Sequence, residues 1–195
     1  SFCFGTQGIV WLAVDGVGLE ACCPETSALR KLESSSLFGN SGGAVSSIVQ
    51  ADNGEIFLSV LGSGLYKLKP DGTPISPVGQ SFQDDYLFSM IKGPSGNLFI
   101  GGRNVIEMYN PESGLRRTVK SFSSIPPVVA YCMYYDNESS TLWMGTLDSG
   151  VYELKLEVVG KNCRVVSEKR YYHDRSNNGS LGSDNVMHIA PGYGH

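Results

Sequence analysis

The chain has 195 residues and a net charge of −4 at neutral pH, with 41% hydrophobic and 17% charged residues. This composition is too apolar for a disordered chain and too polar for a membrane-embedded bundle. The negative charge and the lack of a basic run argue against nucleic acid and against anionic membranes as partners. Glycine is abundant, with 24 residues, which favours an all-β protein with many tight turns.

One short pattern recurs along the chain: an aliphatic residue, an aromatic residue, an aliphatic residue and a small residue. Its aromatic positions are Trp11, Phe57, Phe99 and Trp143. The steps from 11 to 57, from 57 to 99 and from 99 to 143 are 46, 42 and 44 residues, which match the period of β-propeller blades. Because blades pack on one another through large side chains, we expect these aromatics to lie in the core.

The segments around each aromatic anchor predict four antiparallel strands per repeat. An apolar inner strand A comes first, at 45–49, 87–91, 129–134 and again at 186–190. The anchor forms strand B, a glycine-led strand C follows, and a polar strand D lies at the outer rim. Segment 26–32 fits a turn or a strand equally well. The fourth repeat has a longer C–D hairpin, at 154–166.

These strands predict an all-β fold, a β-propeller fragment of about four four-stranded antiparallel blades plus the first strand of a fifth. The approximate repeats are 1–44, 45–85, 86–127 and 128–185, with the start of a further blade at 186–195. Both ends of the chain cut across the repeating pattern, so we expect the chain to be part of a longer propeller. A terminal blade with an uncovered edge can pair with another chain, so we expect the isolated piece either to self-associate through its terminal blades or to be marginally stable.

Cofactor and catalytic signatures are missing from the sequence. The five cysteines show no C-x-x-C pair, and His173, His188 and His195 share no metal-ligand spacing. No G-x-S-x-G, P-loop or dinucleotide fingerprint is present. We therefore predict no metal, no cofactor and no catalytic residue in this segment. No stretch of about 18 apolar residues occurs, so the segment is expected to make no membrane contact.

Propeller geometry predicts where a ligand site would lie. The B–C loops and the D–A connections share one face, around the mouth of the central channel. Planar polar side chains and aromatic rings suit sugar recognition there, because they make paired hydrogen bonds and stacking contacts. The alternative interpretation, that these are ordinary polar loop residues, stays open. The candidate ligand-binding residues are Tyr86, Arg103, Asn104, Asp148, Asp184 and Asn185, and Asp15, Leu61, Asp84 and Asp85 belong to the same loops.

Two strings identify a family resemblance. LWMGTLDSGVYEL (142–154) and NNGSLGSDNVMHI (177–189) resemble the two-component regulator propeller repeat, in which Leu-Trp-Ile-Gly-Thr is followed by a glycine-led strand. The second and third repeats resemble it less closely, and the first repeat departs most, since it keeps only the general layout of strands and turns. The resemblance implies the periplasmic sensing region of a bacterial hybrid two-component histidine kinase, whose kinase domain lies outside this chain. It implies an oligosaccharide ligand and the rest of the propeller as partners.

Three functions follow from a propeller of this kind. The first is a non-catalytic carbohydrate sensor, as the resemblance implies. The second is a scaffold for protein–protein interaction without a small ligand. The third is a propeller-based polysaccharide lyase or hydrolase, which ranks last because the sequence offers no convergent acids, bases or metal ligands.

Overall fold

The computed structural model describes residues 1–5, 8–14, 18–23, 28–33, 44–69, 74–75, 78 and 86–192. The described residues form sixteen β-strands and one short 3₁₀ helix, Pro94–Gly96. The strands make four sheets of four, and consecutive strands within each sheet are antiparallel neighbours. The prediction of an all-β fold built from four-stranded antiparallel sheets is confirmed.

Each sheet is called a blade, numbered in chain order, with its strands in the order A to D. Blade 1 contains β1 (Phe2–Phe4), β2 (Val10–Val14), β3 (Gly18–Cys23) and β4 (Ala28–Glu33). Blade 2 contains β5 (Val45–Gln50), β6 (Ile56–Val60), β7 (Gly64–Leu68) and β8 (Pro74–Ile75). Blade 3 contains β9 (Ser89–Lys92), β10 (Leu98–Gly101), β11 (Val105–Tyr109) and β12 (Arg116–Ser121). Blade 4 contains β13 (Ala130–Asp136), β14 (Thr141–Thr146), β15 (Val151–Val159) and β16 (Asn162–Tyr171).

The core is divided into three apolar clusters, one between each pair of consecutive blades. Neighbouring residues of one strand serve different clusters, because successive side chains point to opposite faces of a sheet. In β6, Leu58 packs with residues of blade 1, whereas Phe57 packs with residues of blade 3. The middle strands of blades 2 and 3, β6, β7, β10 and β11, are therefore buried on both faces, which explains their nearly continuous apolar sequences.

Three of the four aromatic anchors are fully buried. Trp11, Phe57 and Phe99 are 4%, 1% and 0% exposed, and each packs against the next blade along the chain. The Phe57 ring meets Tyr109 of blade 3 edge-on with centroids 5.8 Å apart, and the Phe99 ring meets Tyr135 of blade 4 at 5.5 Å. The prediction that these anchors belong to the core is confirmed.

The fourth anchor, Trp143, is only half-buried. It lies on the face of blade 4 that points away from blade 3, where it stacks on Tyr171 at a centroid distance of 6.0 Å. The hydroxyl of Tyr171 donates to the Glu153 carboxylate at 2.7 Å. At the other end of the array, Phe2 and Phe4 are 62% and 68% exposed on the outer face of blade 1. The described part of the chain thus presents two open blade faces.

The last position of the anchor is small because the next blade crosses it. A Cβ atom placed on Gly101 would lie 2.7 Å from the Cβ of Ala130, on the inner strand of blade 4, and 2.7 Å from Ser89 Oγ. A Cβ atom on Gly145 would lie 2.8 Å from Val186 Cγ1. All three distances are shorter than van der Waals contact. Because Ala130 and Val186 belong to the segment that follows each blade, a larger residue would push that segment away from the blade.

Residues 186–190, predicted to be the inner strand of a further blade, are not a strand and pair with no strand among the described residues. They are nevertheless attached to blade 4. Val186 N donates to Thr146 O at 2.8 Å, and Gly150 N donates to Asp184 O at 2.9 Å. Two equivalent bonds hold the start of the inner strand of blade 4 to the B–C loop of blade 3: Ala130 N donates to Gly102 O at 3.1 Å, and Asn104 N donates to Val128 O at 2.7 Å. The segment therefore occupies the position expected of an inner strand.

The long C–D hairpin predicted for blade 4 is present as β15 and β16, and its tip contacts blade 3. Ser95 Oγ donates to Gly160 O at 2.9 Å, and Asn97 Nδ2 donates to Lys161 O at 3.3 Å. The Lys161 ammonium also forms an ion pair with Glu112. We call these contacts the hairpin clasp. They join the tip of the hairpin to the two turns of blade 3 that lie opposite its B–C loop, the A–B turn and the C–D turn.

Candidate functional site

The upper face of the molecule is formed by the B–C loops and by the connections from one blade to the next. In the described residues these are loops 61–63, 102–104 and 147–149 and connections 86–88, 122–129 and 172–185. All six predicted ligand residues lie in these segments. Asp15, Asp84 and Asp85, expected in the same loops, lie outside the described residues.

Tyr86 and Arg103 form a contact pair on this face. The Arg103 guanidinium lies over the Tyr86 ring, 4.2 Å from its centroid. Tyr86 is 46% exposed and Arg103 is exposed. The backbone of Arg103 is fixed by a bridge to Val129 of the next connection. An exposed ring that carries a guanidinium on its face offers both a stacking surface and charged donors, which is the chemistry expected of a polar ligand site.

Asn104 has a structural role in the same loop. Its backbone has a φ of +59°, in the left-handed region that asparagine tolerates. Its side-chain carbonyl accepts a hydrogen bond from Val128 N at 2.8 Å, and its backbone N donates to Val128 O at 2.7 Å. Phe122 N donates to Asn104 O at 2.8 Å. Asn104 therefore pins both ends of the connection between blades 3 and 4.

That pinned connection carries Ile125, which is 100% exposed. Ser124 Oγ donates to Pro126 O at 3.0 Å, and Asn104 Nδ2 reaches Ser124 O at 3.5 Å. The loop thus holds an apolar side chain outward on a well-bonded frame. Sequence reasoning missed Ile125, although an isoleucine between Ser-Ser and Pro-Pro is an available signal.

The remaining predicted residues cluster on the loops of blade 4. Asp184 Oδ1 accepts a hydrogen bond from His173 N at 2.7 Å, and its backbone carbonyl holds Gly150. Asp148 and Asn185 are exposed. Asp184 therefore orders the connection between blade 4 and residues 186–190, whereas Asp148 and Asn185 face solvent.

Among the described residues, no group of three or more His, Cys, Asp or Glu side chains is placed to hold a metal ion. His173 Nδ1 lies 2.6 Å from Leu181 O, and His188 is exposed. His195 lies outside the described residues. A search of the same residues finds no helix long and apolar enough to span a membrane.

Glu107 is the most deeply buried carboxylate of the described chain, at 2% exposure. It lies in β11 on the face towards blade 2. Its Oε1 is 3.4 Å from Arg116 Nε, and its Oε2 has no hydrogen-bond partner among the described residues. Burial raises the pKa of Glu107, and the positive charge of Arg116 opposes this only in part.

No family model matches the sequence, and no curated protein matches it. Solved structures do match it. The extracellular domain of BT4673 from B. thetaiotaomicron, classed as a hybrid two-component system, superposes with a TM-score of 0.72 at 18% identity, over 93% of this chain and 23% of that chain. The corresponding domain of BT3049 gives 0.68 at 16% identity, over 97% and 24%.

A second group of matches has a different activity. Virginiamycin B lyase from Staphylococcus aureus superposes with a TM-score of 0.66 at 15% identity, over 87% of this chain and 54% of the lyase chain. The four sheets are blades of a β-propeller. At these identities the likeness is one of fold, and the propeller described here spans about a quarter of the length of the matched extracellular domains.

Proposed function

We propose that the chain is part of the extracytoplasmic, periplasmic propeller of a hybrid two-component sensor histidine kinase, with the kinase domain elsewhere in the protein. In this proposal the segment is non-catalytic and binds an oligosaccharide on its upper face. Support comes from the sequence strings at 142–154 and 177–189 that resemble the propeller repeat, and from the fold shared with the extracellular domains of BT4673 and BT3049. The observation that supports ligand binding on this face is the exposed Tyr86–Arg103 pair.

The ligand proposal follows from what that pair offers. A sugar ring presents an apolar face beside equatorial hydroxyl groups, and the Tyr86 ring and the Arg103 guanidinium supply a flat surface and donors to match. The loop that carries Arg103 is anchored by Asn104, so the pair needs little ordering on binding. Asp148 and Asn185 add exposed polar groups on the blade 4 side of the same face.

The test is calorimetric titration of the full-length protein with a panel of neutral oligosaccharides, in the wild type and in Tyr86→Ala and Arg103→Gln. We expect a member of the panel to bind, and each substitution to weaken it about tenfold or more. Arg117→Gln is the matched control, because Arg117 is an exposed arginine on the outer strand β12. The proposal fails if no glycan binds, or if Arg117→Gln weakens binding as much as Arg103→Gln.

A protein-interaction scaffold is the second candidate, and Ile125 is the observation that favours it. A fully exposed isoleucine on a loop pinned by Asn104 is a preorganised apolar anchor of the kind that interfaces bury. Under this alternative, Ile125→Ser abolishes binding of a protein ligand, and oligosaccharides give no heat in the titration above.

We further propose that the propeller continues beyond the two open faces, with further blades packed on Trp143 and on the Phe2–Phe4 pair. The three internal interfaces support this, since each buries an anchor aromatic of the same type. Hydroxyl-radical footprinting of Trp143 tests it, because oxidation is quantified on the peptide that contains Trp143 and so reports this one residue in a chain of any length. We expect strong oxidation in the 195-residue chain and protection in the full-length protein. Equal oxidation in both would refute the proposal, whereas protection that rises with the concentration of the short chain would assign the partner to a second copy.

A further inference from the structure

A row of alternating cationic and aromatic side chains runs along the upper outer rim between blades 3 and 4. Lys120 Nζ lies 5.2 Å from the Phe122 ring centroid, and the Phe122 and Tyr152 centroids are 5.1 Å apart. Arg170 Cζ lies over the rings of both Tyr152 and Tyr172, at 5.8 and 5.6 Å from their centroids. We call this set the outer-rim row. It contains none of the predicted ligand residues.

Arg170 is held in a fixed orientation within the outer-rim row. Its guanidinium contacts two aromatic rings, and its Nε donates to Ser149 O at 2.8 Å. In the part of the chain that the structure describes, its two Nη groups make no hydrogen bond or ion pair. Glu168, two residues before Arg170 on the same side of β16, forms an ion pair with Lys120 instead. The charge of Arg170 is therefore left for a ligand.

The chemistry of the row selects a class of ligand. The edge of a guanidinium matches the two oxygens of a carboxylate, sulfate or phosphate in a bidentate geometry. Tyr172, 53% exposed, supplies a ring surface beside that edge. An acidic sugar carries both features, an apolar ring face and an oxyanion. A nucleic acid would need many more cations than this chain of net charge −4 provides.

We propose that the outer-rim row is a second binding site, for an acidic saccharide, in which Arg170 holds the carboxylate or sulfate group and Tyr172 packs against the sugar ring. Because the orientation of Arg170 is fixed before binding, little side-chain entropy is lost when the oxyanion arrives. The site is independent of the Tyr86–Arg103 pair and does not depend on the function proposed for it.

The experiment is calorimetric titration of the full-length protein with a short oligogalacturonate, with its methyl-esterified counterpart, and with a sulfated oligosaccharide of similar length. The ester keeps the sugar ring and removes the charge. We expect an acidic probe to bind and the ester to bind at least about tenfold more weakly. Binding of the oligogalacturonate assigns a carboxylate ligand, and binding of the sulfated probe alone assigns a sulfate.

The substitutions locate that binding. Arg170→Gln is expected to weaken the acidic probe about tenfold or more, and Tyr172→Ala several-fold. Arg170→Lys keeps the charge but loses the fork, so it gives an intermediate loss even if Arg170→Gln disturbs the rim. Arg164→Gln is the matched control, since Arg164 is an exposed arginine on the same strand, paired with Glu157. The affinity of the Arg164→Gln variant for the acidic probe should match that of the wild type within about twofold.

The outcomes separate this site from the one on the upper face. Arg103→Gln should leave the acidic probe unaffected, and Arg170→Gln should leave neutral oligosaccharides unaffected. The proposal is overturned if no acidic probe binds, if the ester binds as tightly as the acid, or if Arg164→Gln weakens binding as much as Arg170→Gln. The last result would mean general charge attraction without a defined site.

Discussion

The hydroxyl of Ser89 donates a hydrogen bond to the backbone carbonyl of Ala130 at 2.7 Å, from the inner strand of blade 3 to that of blade 4. The same link recurs on either side. Ser46 Oγ donates to Leu87 O at 2.6 Å between blades 2 and 3, and Cys132 Sγ lies 3.5 Å from Val186 O at the far side of blade 4. Side chains of the inner strands thus join consecutive blades around the central axis.

Ser89→Ala tests the strength of this link. Ser89 is 7% exposed, so the substitution removes a buried hydrogen bond and leaves the Ala130 carbonyl without this donor. We expect the free energy of unfolding to fall by about 1 kcal/mol, measured by urea denaturation. Ser123→Ala, at an exposed serine in the neighbouring connection, is the control and should leave stability unchanged. Equal effects for the two variants would contradict the link.

Gly101→Ala tests why the anchor ends in a small residue. The added Cβ would lie 2.7 Å from the Ala130 Cβ and 3.0 Å from the Ala130 backbone oxygen, and neither atom can move aside without a shift of the inner strand of blade 4. We expect destabilisation of about 1–3 kcal/mol by overpacking. Gly182→Ala is the control, because a Cβ there would have nothing within 4 Å. If Gly101→Ala were as stable as Gly182→Ala, the proposed crossing of the inner strand would be wrong.

Phe99→Ala and Trp143→Ala compare a covered anchor with an open one. Phe99 is fully buried between blades 3 and 4, and its loss should cost about 3–5 kcal/mol. Trp143 is half-buried, so its replacement removes less contact area from the folded state and should cost clearly less. Guanidinium denaturation of the 195-residue chain measures both. The comparison depends on which variant loses more free energy of unfolding. A larger loss for Trp143→Ala than for Phe99→Ala would mean that the open face of blade 4 is covered in solution.

Glu107→Gln tests the buried carboxylate through the pH dependence of stability. Because the pKa of Glu107 is raised in the folded state above its ordinary value of 4.5, the folded chain binds the proton more tightly than the unfolded chain. The wild type should therefore gain stability as the pH falls through the folded pKa towards 4.5, and lose it again as the pH rises.

The measured quantity is the difference in free energy of unfolding between wild type and Glu107→Gln, followed from pH 7 downwards. It should shift in favour of the wild type at acidic pH, because glutamine does not titrate. Glu157→Gln serves as control, since that carboxylate is exposed on β15. A difference that is constant with pH, or that moves in favour of glutamine on acidification, rules out the buried-charge explanation.

The sequence was sufficient to predict the four blades because the same physical demand recurs in each of them. An anchor such as Phe57 must fill the space to the next blade, and a residue such as Gly101 must let the next inner strand pass. These demands act at fixed spacing, so the pattern is visible without coordinates. Segment 26–32 illustrates the opposite case, because nothing local distinguished a turn from the strand β4 (Ala28–Glu33) that the structure contains.

The contacts of the upper face and of the outer-rim row could not be predicted from the sequence. Asn104 was predicted as a ligand residue from its type, but its partner Val128 is 24 residues away, and no local pattern reports such a bond. The placement of Arg170 beside Tyr152 depends on the register of β15 and β16, which shifts between Lys155 and Leu156. A one-residue shift moves every side chain to the other face of a strand, so the outer-rim row could not be read from spacing.

The hairpin clasp has a consequence for how the chain opens. Among the described residues, blades 1 and 2 meet through apolar packing of their inner and middle strands and one hydrogen bond from Ile48 N to Ser1 Oγ. Blades 3 and 4 are joined at their inner strands, at the Lys120–Glu168 pair of their outer strands and at the tip of β15–β16. Blades 3 and 4 should therefore exchange their amide protons as one cooperative unit, with similar opening free energies, while blade 1 opens separately and at lower cost. A movement imposed on one of the clasped blades would then be carried rigidly to the other.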